Sequence, residues 1–272
     1  MSFLIFDVDH SLASIGGVKA AQELCTITPI QITGGLAEVR DVIRGLFVQQ
    51  QSIYSHPLLS RKIQNSRYEL STTAKQYNLE GIVIDTISHL FLQDMRLLES
   101  EKKSERLDLQ DWGKLERTYN QFISSLIQLP VWVIVNSHIS YDKNDLGQFL
   151  FKPQLKGATR DFIGEYFDCI LYTRIRNTNN KTSYFWQTRP DTQRYAKDRL
   201  DVLDPIMPQD FSILLSRYKE KGIPNPKVLV IGESGTGKTR ALLTAKYTPS
   251  VAAPSKNNDK ASGEIITKLR RG

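Results

Sequence analysis

Residues 228–239, VLVIGESGTGKT, end a short run of Val, Leu and Ile with the spacing G-x-x-x-x-G-K-T. Gly232, Gly235 and Gly237 let a backbone turn tightly and aim successive N–H groups at one anion. Glu233, Ser234 and Thr236 complete the turn, and Arg240 follows it. In this pattern Lys238 is placed to reach the β- and γ-phosphates of a nucleoside triphosphate, and the Thr239 hydroxyl to ligate Mg²⁺. The helix-forming RALLTAK that comes next sets a helix N-terminus, with its partial positive charge, under the same phosphates. The chemistry is phosphoryl transfer, which asks for positioning and charge more than for covalent catalysis.

Such a site also needs carboxylates, and residues 240–272 hold no apolar run ending in one. They must come from upstream or from another chain. Upstream, three apolar runs end in polar groups: residues 2–8 before Asp9, residues 81–85 closing on Asp85, and residues 131–135 leading to Asn136, Ser137 and His138. Each has a plainer alternative. Asp85 could cap a helix, Asp9 could be a solvated strand end, and His138 could be a neutral histidine bonded to backbone. Asp7, two residues before Asp9, is expected to face away from it.

Apolar runs alternate with stretches of helical period, so the expected class is α/β with a mostly parallel central sheet flanked by helices. Ligands of such sheets sit at the carboxyl ends of strands. Helices are expected over residues 18–24, 36–47, 61–78, 90–98, 112–129, 161–167 and 210–221. Strands are expected over 2–8, 25–32, 81–85, 131–135 and 168–175, with 181–188 returning as a hairpin. Residues 139–156 are polar and read as a mobile loop, and 222–227, GIPNPK, as a linker. The division is one domain over residues 1–247 (1–221, then 222–247 with linker, strand, loop and helix) and a flexible basic tail over 248–272.

The 272 residues are 40% hydrophobic and 24% charged, a globular balance, with net charge +7 that suits a polyanion partner. Two cysteines far apart in sequence imply reduced thiols and a cytoplasmic setting. No apolar run is long enough to span a membrane. The four histidines, His10, His56, His89 and His138, lack ligand spacing, so no His/Cys metal site is expected.

On these residues the chain resembles RecA-like P-loop ATPases. IVID (82–85) is similar to a Walker B strand, FLIFDVDHSLA (3–13) to the second core strand, and VIVNSH (133–138) to the sensor strand. YAKDR (195–199) resembles the K-x-R finger that RecA-like and DnaB-like subunits extend to a neighbour. The order of Lys156-Gly157, YFDCILY (166–172) and RYAKDR is similar to phage-encoded single-strand-annealing ATPases. In that family the P-loop strand comes first; here it comes last. The resemblance therefore implies a circularly permuted core with the Walker A strand near the C-terminus, or a strand swap.

It further implies ATP and Mg²⁺ as cofactors. Asp85 would hold the metal with Thr239, Asp9 would polarise the attacking water where the family has Glu, and Asn136 and His138 would sense the γ-phosphate. Lys197 and Arg199 would act in trans in a homo-oligomeric ring or filament, and Tyr195 would cover the adenine. Single-stranded DNA is the expected partner, in recombination or replication. Its phosphates would meet Lys143, Lys152, Lys156 and Arg160, beside Tyr141, Phe149 and Phe151 for stacking. A DnaB-type helicase motor and a non-catalytic nucleotide-binding assembly protein are the alternatives.

Overall fold

The computed structural model describes residues 2–15, 27–56, 61–102, 106–143, 147–178 and 181–245. The helix expected over 18–24, Cys25 and the tail from 248 lie outside them.

Six strands run parallel through the middle of one sheet: β2 (Ile27–Gln31), β1 (Ser2–Asp7), β5 (Leu79–Asp85), β6 (Trp132–Ser137), β13 (Lys227–Ile231) and β9 (Cys169–Thr178), in that spatial order. Beyond β9 the sheet turns antiparallel, with β10 (Lys181–Gln187) and β12 (Ile206–Pro208) at the edge and β11 (Lys197–Asp198) on β9. The last strand among the described residues thus lies inside the sheet, with β6 on one side and β9 on the other.

Two buried layers explain why these strands read as unbroken apolar runs. Phe6, Ile84, Val135 and Ile231 face α1 (Gly35–Leu46), α3 (Ile87–Lys102) and α4 (Leu109–Leu126), which bury Val39, Leu90 and Tyr119 against them. Ile5, Val83, Ile134 and Val230 face the other way, against Phe211 and Leu214 of α6 (Phe211–Glu220) and Ala241 of α7 (Lys238–Ala241). All five residues of β13 are buried. Four of them are Val, Leu or Ile, each worth about 1.5–3 kcal/mol when fully buried, as an upper estimate. That sum rivals the whole net stability of a typical domain, about 5–15 kcal/mol. β13 is therefore part of the core and not a loose tail.

Two expectations are corrected. Residues 61–78 do not form a helix; they make β4 (Arg61–Leu70), paired antiparallel with β3 (Phe47–His56), and then the short α2 (Thr72–Gln76). Both strands are polar and lack a clear period, and partner pairing decides such segments more than propensity does. Residues 139–156 are not simply a loop; β7 (Ile139–Lys143) and β8 (Phe149–Pro153) pair there as a hairpin.

Candidate active site

Side chains alternate across a strand. Val83 and Ile134 face α7, so Asp85 and Asn136, two residues further along, face it too. Asn136 Nδ2 donates to Asp85 Oδ1 at 2.9 Å, and the Thr239 hydroxyl hydrogen-bonds the same carboxylate. Asp85 is fully buried, and burial pushes its carboxyl up to about 6; Thr239 and Asn136 hold it down, while nearby Asp9 pushes it further up.

The glycine-rich loop leaves β13 at Ile231. Gly235 and Gly237 sit at φ +76° and +88°, where only glycine is unstrained. A Cβ on Gly232 would collide with the Thr173 hydroxyl, which itself meets Thr236 Oγ1 at 2.7 Å. Gln209 Nε2 donates to the Thr236 carbonyl at 2.9 Å and braces the turn from the side. Glu233, Ser234, Gly235 and Arg240 are exposed. Lys238 folds back on the loop, its Nζ donating to the carbonyls of Gly232 (2.9 Å) and Glu233 (2.7 Å). Burial brings its amine down to about 8, against the opposing pull of Asp85, Asp9 and Glu233.

The structure therefore brings together Lys238, Thr239, Asp85, Asn136, Asp9 and His138. Asp9 Oδ2 is 3.7 Å from His89 Nδ1. His138 is brought down to about 4 by burial and by Lys238 and His89, so its ring is neutral, and its main-chain N–H donates to Ser88 Oγ at 3.0 Å. Asp85 Oδ2, Asn136 Oδ1 and His138 Nε2 are buried and without a partner. Buried polar atoms ordinarily have one, so this corner is built for a polar guest. The Thr239 hydroxyl and the Asp85 carboxylate are oxygen donors of the kind Mg²⁺ takes, and together they would hold it.

Other placements differ from expectation. Asp7 does not face away from Asp9. Residues two apart share a face of a strand, so Asp7 follows Ile5 to the side of Asp9, and both carboxylates accept from Ser11 N, at 3.2 and 3.1 Å. Lys197 and Arg199 lie toward the amino end of β9, away from the loop, and are engaged within their own chain. Lys197 Nζ donates to the Gly164 carbonyl at 3.2 Å, and Arg199 Nη1 to Asp168 at 2.7 Å. Tyr195, exposed, lies against Gly164 beside them. Among the expected nucleic-acid contacts, Lys152 and Arg160 are held by Asp142 and Asp161. Lys156 sits at the start of α5 (Gly157–Phe162). Lys143 alone of the four lies over a ring, 5.2 Å from Phe149.

Several residues of this region are not singled out by sequence. His89, four residues after Asp85, has the signal of its place just past a strand end. Thr173 and Gln209 have none, being ordinary polar residues brought in by β9 and the turn before α6. Arg194 stacks on Phe151 (4.9 Å) and Tyr172 (5.4 Å), and Tyr141 donates to Glu233 Oε1 at 2.6 Å, tying the β7–β8 hairpin to the glycine-rich loop. Among the described residues no helix is long and apolar enough to cross a membrane.

The family described as AAA domain matches residues 1–200, which contain Asp9, Asp85, Asn136 and His138 and end before β13. No curated protein and no solved structure matches significantly. With three quarters of its length matched and a glycine-rich phosphate loop set against the acidic strand ends, the chain belongs to the AAA domain family and carries a P-loop ATPase domain on an α/β fold.

Proposed function

We propose that the chain hydrolyses ATP with Mg²⁺ on a circularly permuted RecA-like core and acts on single-stranded DNA as a homo-oligomer, in recombination or replication. The observation that carries the hydrolysis is the meeting of Lys238 and Thr239 with Asp85 at the end of the sheet. The permuted reading is favoured by a last strand that lies mid-sheet and by a family match that stops short of it.

In this reading the loop N–H groups and Lys238 hold the β- and γ-phosphates, with Lys238 exchanging two loop carbonyls for phosphate oxygens. Bound Mg²⁺ would neutralise charge on those oxygens. Thr239 and Asp85 would hold it, and Asn136 fixes the Asp85 carboxylate by its 2.9 Å hydrogen bond. Asp9 orients the attacking water and accepts its proton. Neutral His138 donates to the γ-phosphate without adding a competing charge. Lys197 and Arg199 act on a neighbour's triphosphate, Arg199 first leaving Asp168, with Tyr195 beside them at that subunit boundary.

The DNA half rests on Tyr141 and Phe149, large exposed rings 6.5 Å apart, with Lys143 over one of them. Exposed rings beside cations give unpaired bases faces to stack on. Because Tyr141 also bonds Glu233 in the loop, strand binding would be felt at the nucleotide. Adding a single-stranded oligonucleotide to the protein with Mg-ATP at low salt is expected to raise both the hydrolysis rate and the sedimentation coefficient. A rate and a particle size indifferent to DNA would end the nucleic-acid and assembly parts and leave a DNA-independent ATPase.

A further inference from the structure

Asp9, His89 and His138 come from three places in the fold: the turn after β1, the first turn of α3 and the residue after β6. One ligand-capable atom from each lies within 4.8 Å of the other two. Asp9 Oδ2 and His89 Nδ1 are 3.7 Å apart, and the two imidazoles meet edge to face at 5.0 Å. His138 Nε2 is buried with nothing to bond. Sequence spacing argues against a histidine metal site, but spacing is the wrong test here, since the sheet and not the local chain gathers these ligands.

We propose that Asp9, His89 and His138 form a three-ligand site for a transition ion of the zinc class, separate from the Mg²⁺ position between Thr239 and Asp85. Two imidazoles and one carboxylate are a donor set that zinc-class ions take and Mg²⁺ does not. Three protein ligands leave positions for water. At bonds of about 2.05 Å, tetrahedral ligand atoms stand roughly 3.3 Å apart, so the trio closes by about 1.5 Å at its widest. His89 is the member that moves: its side chain is 44% exposed, and the hydrogen bond on its ring is to Thr86, 3.1 Å from Nδ1.

The consequence rests on the hydrolytic reading above. Asp9 and His138 are the groups assigned to the attacking water and the γ-phosphate, so a zinc-loaded chain would hold nucleotide through Lys238 and the loop but not turn it over. Zinc occupation and hydrolysis would exclude each other.

The test begins without nucleotide, so that it stands apart from the ATPase question. Tag-free protein freed of metal with a chelator is titrated with Co²⁺, read by its visible absorption, and with Zn²⁺, read calorimetrically. Saturation at one ion per chain is expected, with Zn²⁺ displacing Co²⁺. His89→Gln and, as a second variant, His138→Gln should weaken binding by at least about tenfold, since loss even of an outer-shell partner costs 10–100-fold. Unchanged thermal melting of His89→Gln would exclude misfolding as the cause. No saturable binding, or equal affinity in wild type and both variants, overturns the site. In a Mg-ATP assay, micromolar Zn²⁺ should stop wild-type turnover and spare His89→Gln; a zinc-saturated wild type at full rate overturns the exclusion and leaves the site.

Discussion

Lys238→Ala is expected to lower ATP turnover by about 10²–10³-fold, the loss that follows removal of one preorganised charge-stabilising donor. The amine is nearly buried and spends both of its observed hydrogen bonds on the loop's own carbonyls, at Gly232 and Glu233. It is thus parked on the loop, ready to exchange those carbonyls for phosphate oxygens. Burial holds its basicity down to about 8, and a bound triphosphate would favour the charged amine and raise it. Steady-state turnover and titration with a fluorescent nucleotide measure both parts. Lys238→Met, which keeps the bulk of the stem, should behave like Lys238→Ala. Turnover within a few-fold of wild type in either variant would mean that the loop is not the catalytic one.

Asp85→Asn should abolish turnover, by about 10²-fold or more, the scale of losing one charge-positioning group, and at the same time stabilise the fold. The sign follows from burial. The folded-state carboxyl sits at about 6 against an unfolded value of 3.8, so the folded chain holds this proton more tightly. The contribution of Asp85 is then fully present below pH 3.8 and is lost as the pH rises through about 6. At pH 7 the ionised group costs at most about 3 kcal/mol, since each tenfold gain in proton affinity is worth roughly 1.4 kcal/mol. An amide carries no such charge, can still accept from Asn136 Nδ2 and can bond the Thr239 hydroxyl. In the absence of Mg²⁺ the variant should melt several degrees higher at pH 7, with a flatter pH dependence across the range between the unfolded and folded values. Function held at the expense of stability is the pattern of a working site. A variant that melts lower and also loses turnover would instead make Asp85 a structural residue.

Most of the frame was legible because both faces of the central strands are covered. Residues 2–8, 81–85, 131–135 and 228–231 are apolar almost without interruption, and each became a central strand ending at the site. The glycine spacing marked the loop, and the polar residues at strand ends marked Asp85, Asn136 and His138. What was not legible depends on contacts between distant segments. β3 and β4 are too polar for their pairing to appear in either one alone. Lys152 and Arg160 look like free cations in sequence, yet Asp142 and Asp161 fold onto them. The expectation for Asp7 misread the strand's period: a two-residue spacing keeps side chains on one face, and Asp7 and Asp9 share the Ser11 N–H. Thr173, Gln209 and His89 reach the site from elements whose meeting no local pattern announces.

The most direct measurement is a crystal structure of the protein with Mg²⁺ and a non-hydrolysable ATP analogue. The account predicts the triphosphate wrapped by residues 232–239 of the same chain that supplies Asp85. The metal should lie between the Thr239 hydroxyl and the Asp85 carboxylate, and Asp9 should face the γ-phosphate. Nucleotide bound elsewhere, or a metal held without Asp85 and Thr239, would contradict it.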